Sequence, residues 1–232
     1  MRNSINIIAI IPARGGSKGV PRKNIKLVGG KPLIFYSISE AKKSKYISRI
    51  IVSTEDVQIA KTSKLFGAEV VKRPKNLSRD NSPTVLTIKH VIDFLEKKEK
   101  YDVDVVVLLQ PTSPFRTSKD IDSCIKKFKK ENFDSIVSIS EPAESPYWTY
   151  SLKKDQLIPL LKINKKHHRR QDLPKIYQLN GAVYVTSRNR IMKKNTILGD
   201  KMGGYVMPVE RSLDIDNKFE FKIANLLMKS KK

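Results

Sequence analysis

The sequence predicts an α/β protein, with a mostly parallel sheet covered by helices on both faces and a smaller irregular insertion. Three observations lead there. Short apolar runs rich in β-branched residues recur at 7–11, 50–53 and 104–109, the pattern of strands buried on both faces. Stretches with apolar residues at helical spacing lie between them, giving a βαβα rhythm. The first run empties into a loop with Gly15, Gly16 and Gly19, at the carboxyl end of a strand, where such sheets bind ligands.

Taken in order, strand 7–11 is followed by that loop, in which Arg14, Lys18, Arg22 and Lys23 crowd around the glycines. Backbone amides turned inward by glycines form an anion-binding concavity, and four cations beside it favour a polyphosphate. The competing reading is an ordinary turn with solvated lysines. Neither known phosphate loop fits: Lys18 precedes Gly19 rather than Ser or Thr, and Gly15 and Gly16 are adjacent. A turn at 29–32 opens a helix over 33–43, and strand 50–53 leads to Glu55 and Asp56, both expected to cap a helix over 57–66 that Gly67 stops. A short strand at 70–71 delivers Arg73, and a polar loop containing Ser82 precedes a helix over 84–98. Strand 104–109 presents Gln110 on a loop that Pro111 and Pro114 stiffen. Thr117 or Ser118 caps a helix to Lys130 with Cys124 on its apolar face, a packing position rather than a nucleophile. Strand 135–139 ends the regular pattern.

From Glu141 the texture changes. Prolines punctuate a stretch with Tyr147, Trp148 and Tyr150, read as an inserted arm of short strands or a plain surface hairpin. His167 and His168 are adjacent and point to opposite faces of an extended chain, which excludes joint ligation of one zinc. A late strand follows at 205–209, its direction open, with antiparallel one option, and a last helix spans 218–228. Asp214 and Asp216, two apart in an extended stretch, face one side and repel unless a cation lies between them. A pair of carboxylates with substrate phosphates suits magnesium. The competing reading makes Asp216 the N-cap of the last helix.

The bulk properties narrow the class. A chain of 232 residues buries roughly 70% of its unfolded surface, and no apolar run approaches the ~20 residues of a membrane span. One cysteine excludes an internal disulfide and, with no visible signal peptide, points to the cytoplasm. The net charge of +23 raises nucleic-acid binding as a rival. The lysines are spread along helix faces, however, and no aromatic-interleaved basic stripe accompanies them.

Four stretches carry a family resemblance: Ile-Pro-Ala13-Arg14-Gly-Gly-Ser17-Lys-Gly-x-Pro-x-Lys23-Asn24, Leu109-Gln110-Pro-Thr-Ser-Pro-Phe-Arg116, Asn180-Gly-Ala-Val-Tyr184 and Asp214-Ile-Asp216. In order and kind they resemble the acylneuraminate cytidylyltransferases, which join CTP to sialic acid and related sugars. The resemblance implies a Rossmann-like, nucleotidyltransferase-type α/β fold with a small inserted dimerisation arm. It divides the chain into a nucleotide-binding core (1–141), the arm (142–178) and a return to the core (179–232). It places Ala13, Arg14, Gly15, Gly16, Ser17, Lys23, Asn24, Arg73 and Ser82 on the nucleotide. Gln110, Arg170, Asn180 and Tyr184 fall to the acidic sugar, and Asp214 and Asp216 to Mg2+. Arg14, Lys23 and Asp214 would carry the chemistry, with a homodimer as the assembly. For Arg73 and Gln110 the local sequence alone equally allows a surface arginine and a loop-bracing glutamine. Two departures stand out. Ser145-Pro-Tyr-Trp148 replaces a His-Pro-x-Lys stretch common in the sialic acid enzymes, and Glu220 holds the last acidic position. The nucleotide half is intact and the sugar half altered, so legionaminic or pseudaminic acid is as good an acceptor expectation as sialic acid.

Overall fold

A computed structural model describes residues 5–17, 19–161 and 169–230, apart from the side chain of Arg170. Its first strand, β1 (Ile7–Pro12), shows why an unbroken apolar run belongs here. Ile7, Ala9 and Ile11 point into one core layer, while Ile8 and Ile10 point into another on the opposite face. A two-residue hairpin, β2 (Leu27–Val28) with β3 (Lys31–Pro32), turns on Gly29 and Gly30, both at positive φ (57° and 87°), a tight turn open to few residues besides glycine and asparagine. Helix α1 (Leu33–Lys42), strand β4 (Arg49–Thr54), helix α2 (Val57–Leu65) and strand β5 (Glu69–Lys72) complete the first half.

The second half runs through α3 (Thr84–Lys98), β6 (Val105–Leu108), α4 (Ser118–Lys130) and β7 (Ser135–Ser140). A separate hairpin of β8 (Tyr150–Lys153) and β9 (Gln156–Pro159) follows. Then come β10 (Gln178–Ser187), α5 (Arg188–Lys194), β11 (Met202–Val206) and α6 (Lys218–Ser230). The capping box at Thr117 and Asp120 starts α4 as its sequence suggests. Helix α5 has no counterpart in the sequence reading, because seven mostly basic and polar residues carry little apolar periodicity.

Seven strands form one sheet in the order β11-β7-β10-β6-β1-β4-β5. Strand β1 pairs in parallel with both β4 and β6. The chain thus leaves β1 toward one side of the sheet and later returns to the other. That reversal opens a crevice outside the carboxyl ends of β1 and β6. The late strand, whose direction the sequence leaves open, is parallel to β7, and the antiparallel member is β10, which lies between β6 and β7. Single-strand patterning carries no direction, so only the pairing decides this.

Helices α1 and α4 supply Ile34, Ile38, Ile121 and Ile125 to one layer, and α3 supplies Ile88, Val91, Ile92 and Leu95 to the other. A third cluster, Val20, Val28, Leu33, Phe115, Ile215 and Phe221, lies apart from both. It joins the glycine loop, the small hairpin, the segment between the two aspartates and α6.

Candidate active site

The glycine loop leaves β1 with one more rung of sheet pairing, Ala13 N–H to the Ser53 carbonyl at 3.0 Å. Its three glycines do not adopt positive φ; among the described residues of the loop the left-handed one is Arg22, at φ 53°. Space is the requirement instead. A Cβ on Gly15 would lie 2.8 Å from Asp56 Oδ2, and one on Gly19 would overlap the carbonyl oxygen of Asp216, whereas Gly16 faces open space. The Gly15 N–H, expected in the phosphate cradle, donates to Glu55 Oε1 at 2.7 Å. Glu55 therefore does not share the cap of α2; it holds the loop and accepts from Ser78 Oγ at 2.9 Å. Asp56 alone caps that helix, accepting from the amides of Gln58 and Ile59. The side chain of Asn24 closes the loop by donating to the Arg14 carbonyl at 2.9 Å.

The predicted cations divide. Arg14 Nη1 meets Asp80 Oδ1 at 2.5 Å. Lys23 Nζ donates to the Ile215 carbonyl at 2.5 Å and pairs with Asp216 Oδ1 at 3.2 Å. Arg73 is buried and hydrogen-bonded to the hydroxyl and carbonyl of Ser53, at 3.2 and 2.6 Å. Burial pulls its guanidinium down to about 10, with Glu55 opposing and Arg14 adding to the shift. Arg22 turns away, onto Asp56 at 3.2 Å, and leaves the cradle. Lys18 lies outside the described residues. Ser82 donates to the Asn76 carbonyl at 3.0 Å, in the loop that faces the glycines.

Ile215 is fully buried in the third cluster, and its amide donates to the Thr112 carbonyl at 2.9 Å. It anchors the aspartates on either side. Asp216 does not cap α6: Asn217 Oδ1 accepts from the amides of Phe219 and Glu220, and Glu220 Oε2 returns to the amides of Asn217 and Asp216. That reciprocal cap, one residue later than the competing reading required, leaves the Asp216 carboxylate exposed and facing Lys23. Asp214 Oδ1 is buried without a partner. Burial raises the Asp214 carboxyl above the usual range; a Thr112 hydrogen bond opposes this, Asp216 and Glu220 add to it, and Lys23 counters. An orphaned buried carboxylate oxygen beside a second carboxylate is a donor set that fits a divalent cation. Among the described residues no three His, Cys, Asp or Glu side chains gather as a cage, and Mg2+ shared with substrate phosphates does not need one.

On the other side of Asp214 lies Gly181, at φ +73°, where the β10–β7 register shifts. A Cβ here would stand 3.1 Å from Gln110 Oε1 and 3.3 Å from Asp214 Oδ2. Gln110 and Asp214 thus meet over bare backbone. The resemblance puts Asn180 and Tyr184 beside the sugar, and in the structure both are also tied into the fold. Asn180 Oδ1 accepts from Ser138 Oγ (2.6 Å) and Ala182 N (3.2 Å), and its Nδ2 donates to Ser212 Oγ at 3.0 Å. Tyr184 packs with Ile8 and Ile10 in the second core layer, its phenol pushed up by burial and by Asp214. Arg170 begins a short 3-10 turn, Arg170–Asp172; its side chain, His167 and His168 lie outside the described residues.

Sequence reasoning gave Arg116 no role. It is fully buried, donates to the carbonyls of Gln110 and Ala182, and reaches Ser37 Oγ at 2.5 Å. Burial lowers its guanidinium to about 9, against the pull of Asp214, Glu40 and Asp120. It ties the Gln110 loop to β10 and α1. The available signal was a lone arginine closing a two-proline loop after a buried strand.

Arg14, Ser17, Lys23, Asn24, Arg73, Ser82, Gln110 and Asp216 all line one cleft of about 490 Å3 at the crevice described above. Residues 8–209 match the family described as Cytidylyltransferase. The chain is 35% identical over 234 residues to the CMP-N,N'-diacetyllegionaminic acid synthase of Legionella pneumophila, covering 97% of each protein. It is 30% identical over 226 residues to the N-acylneuraminate cytidylyltransferase of Escherichia coli, covering 97% of this chain and about half (52%) of that relative. The solved structure of CMP:2-keto-3-deoxy-manno-octonic acid synthetase, complexed with CTP, superposes with a TM-score of 0.70 at 14% identity, covering 98% of this chain and all of that one. At that identity the likeness concerns the fold.

Proposed function

The chain belongs to the cytidylyltransferase family, and from that premise we propose that it transfers CMP from CTP to a nine-carbon 2-keto-3-deoxy acid, releasing pyrophosphate. One observation carries the reading most directly. The glycine loop and the aspartate segment touch, Gly19 against the Asp216 carbonyl and Lys23 against Ile215 and Asp216. The cations Arg14, Lys23 and Arg73 and the Asp216 carboxylate therefore line one cleft.

In this reading Arg14, Lys23 and Arg73 bind the triphosphate beside the loop of residues 13–17, whose Ala13 and Gly15 amides are held by Ser53 and Glu55, and Asn24 keeps that loop closed. Arg14 and Lys23 exchange carboxylate partners for phosphate oxygens as CTP enters. Mg2+ would be held by Asp214 and Asp216 and supplies charge neutralisation at phosphate oxygens when bound. Gln110, beside Asp214, orients the acceptor, and Arg170 is assigned to its carboxylate, a planar pair suited to two parallel bonds. The anomeric hydroxyl attacks the α-phosphorus in line, the bond to the bridging oxygen of pyrophosphate breaks, and the hydroxyl proton leaves to solvent. Positioning and charge complementarity do most of the work in such transfers. Asn180 and Tyr184 act from behind, by holding the Gly181 backbone against Gln110 and Asp214.

The same proposal includes the division at 1–141, 142–178 and 179–232, a homodimer formed through the β8–β9 arm, and a cytoplasmic location, where CTP is made. The arm exposes Leu152, Leu157, Leu160 and Tyr150 together, more apolar surface than a solvated hairpin needs. Cys124 is buried in the core and suits a reducing compartment. The decisive measurement crosses a panel of nucleoside triphosphates with several nonulosonic acids. Pyrophosphate release requiring CTP, Mg2+ and an acid sugar together is expected; release with another nucleotide, or none with any acceptor, overturns the reading.

A further inference from the structure

The loop between β5 and α3 carries a cation that has no part in the reaction so far. Arg79 lines the same cleft as Arg14, Lys23 and Arg73, yet it stands outside the residues that the family resemblance places on the nucleotide. The backbone beneath it is braced. Its carbonyl accepts from Ser82 N at 3.1 Å, and Ser82 Oγ reaches back to the Asn76 carbonyl at 3.0 Å. The neighbouring Asp80 meets Arg14 at 2.5 Å, and Ser78 donates to Glu55, which in turn holds Gly15. These contacts fasten the loop against the glycine loop. Arg79 itself is exposed, and among the described residues its guanidinium has no hydrogen-bond or ion-pair partner.

Arg14, Lys23 and Arg73 already have partners: a carboxylate for the first, a carboxylate and a carbonyl for the second, the Ser53 hydroxyl and carbonyl for the third. An unpaired guanidinium on a fixed backbone gives up only water when an anion arrives, and its planar fork matches phosphate oxygens. Its place in the cleft assigns it to one end of the nucleotide. Asp214 stands beside Gln110, on the wall where the α-phosphorus reacts. Lys23 leans onto that wall through Asp216, whereas Arg14 leans onto the loop of Arg79 through Asp80. A triphosphate running from Lys23 to Arg14 ends beside Arg79. Resting on the function proposed above, we propose that Arg79 binds the terminal phosphates of the nucleotide, the part that leaves as pyrophosphate, and so makes the site prefer a triphosphate over a monophosphate.

The test titrates CTP, CMP and inorganic pyrophosphate separately into the full-length protein with Mg2+ and no acceptor, by calorimetry, so that it does not depend on turnover. Arg79→Gln should weaken CTP by about 10-fold, the lower end of what a hydrogen bond to a charged group contributes. Pyrophosphate should weaken by the same factor, and CMP, which lacks the terminal phosphates, should bind as it does to wild type. Arg79→Lys keeps the charge but not the fork and should fall between wild type and Arg79→Gln. Arg79 is exposed, so these variants keep the fold, and the melting temperature checks it. Unchanged CTP affinity in Arg79→Gln, or an equal loss for CTP and CMP, overturns the assignment while leaving the transferase reading intact. A wild-type protein that binds no CTP defeats both.

Discussion

At the scale of single residues, the three glycines of the first loop are not equivalent. Gly19 is held against the backbone of Asp216, which cannot swing aside as a flexible side chain can. Gly19→Ala must push the loop and the aspartate segment apart, and a displacement of that order costs about 100-fold in kcat/KM. Gly16→Ala meets nothing within 4 Å and should leave stability within about 0.5 kcal/mol of wild type. Steady-state kinetics and thermal melts of both variants check this; equal activity in Gly19→Ala and wild type would show that the contact does not organise the site. The sequence displayed all three glycines, but it could not say which one faces backbone.

At the scale of elements, the segment bearing the aspartates is fixed from two sides. Ile215 anchors it in the third cluster, and Arg211 binds the fully buried carboxylate of Asp120 at the start of α4, with a shortest contact of 2.7 Å. Burial alone would raise the Asp120 carboxyl, but hydrogen bonds from Arg211 and Thr117 outweigh it and the net shift is downward. A carboxyl depressed on folding contributes stability above its unfolded value, about 3.9, and loses it as pH falls through the folded value. Arg211→Met should cost about 3 kcal/mol at neutral pH by stranding that charge. The deficit should shrink on acidification as Asp120 takes up a proton, and urea melts across pH 3–7 read it. A deficit independent of pH would mean that lost packing, not the stranded charge, is responsible. The β8–β9 hairpin makes the opposite case, an element with little of its own to bury. Leu152→Glu with Leu157→Glu should convert the proposed homodimer to a monomer in sedimentation while leaving CTP binding in place; an unchanged sedimentation coefficient would overturn the proposal that the hairpin forms an interface.

At the scale of the whole molecule, what could be read in advance followed from local rules. The buried strands 7–11, 50–53 and 104–109, the capped helix after Thr117 and the Gly29–Gly30 turn each depend on neighbours in sequence, so pattern alone located them. The cations of the first loop were visible as a group, yet Arg22 belongs to Asp56, and nothing short of the fold separates it from Arg14 and Lys23. Glu55 and Asp56 look alike as caps, and only the approach of Gly15 divides their roles. Asn180 and Tyr184 carry the right chemistry for a sugar contact, and only the fold shows that, around the register shift at Gly181, one is also hydrogen-bonded into the strand network and the other also packs against the core. The sequence by itself determined the layered α/β class and the family. Strand direction at β10 and β11, the burial of Arg116 and the meeting of loop and aspartates were decided by tertiary structure alone. These are contacts between residues tens to nearly two hundred positions apart, and no local pattern encodes which distant backbone a side chain will meet.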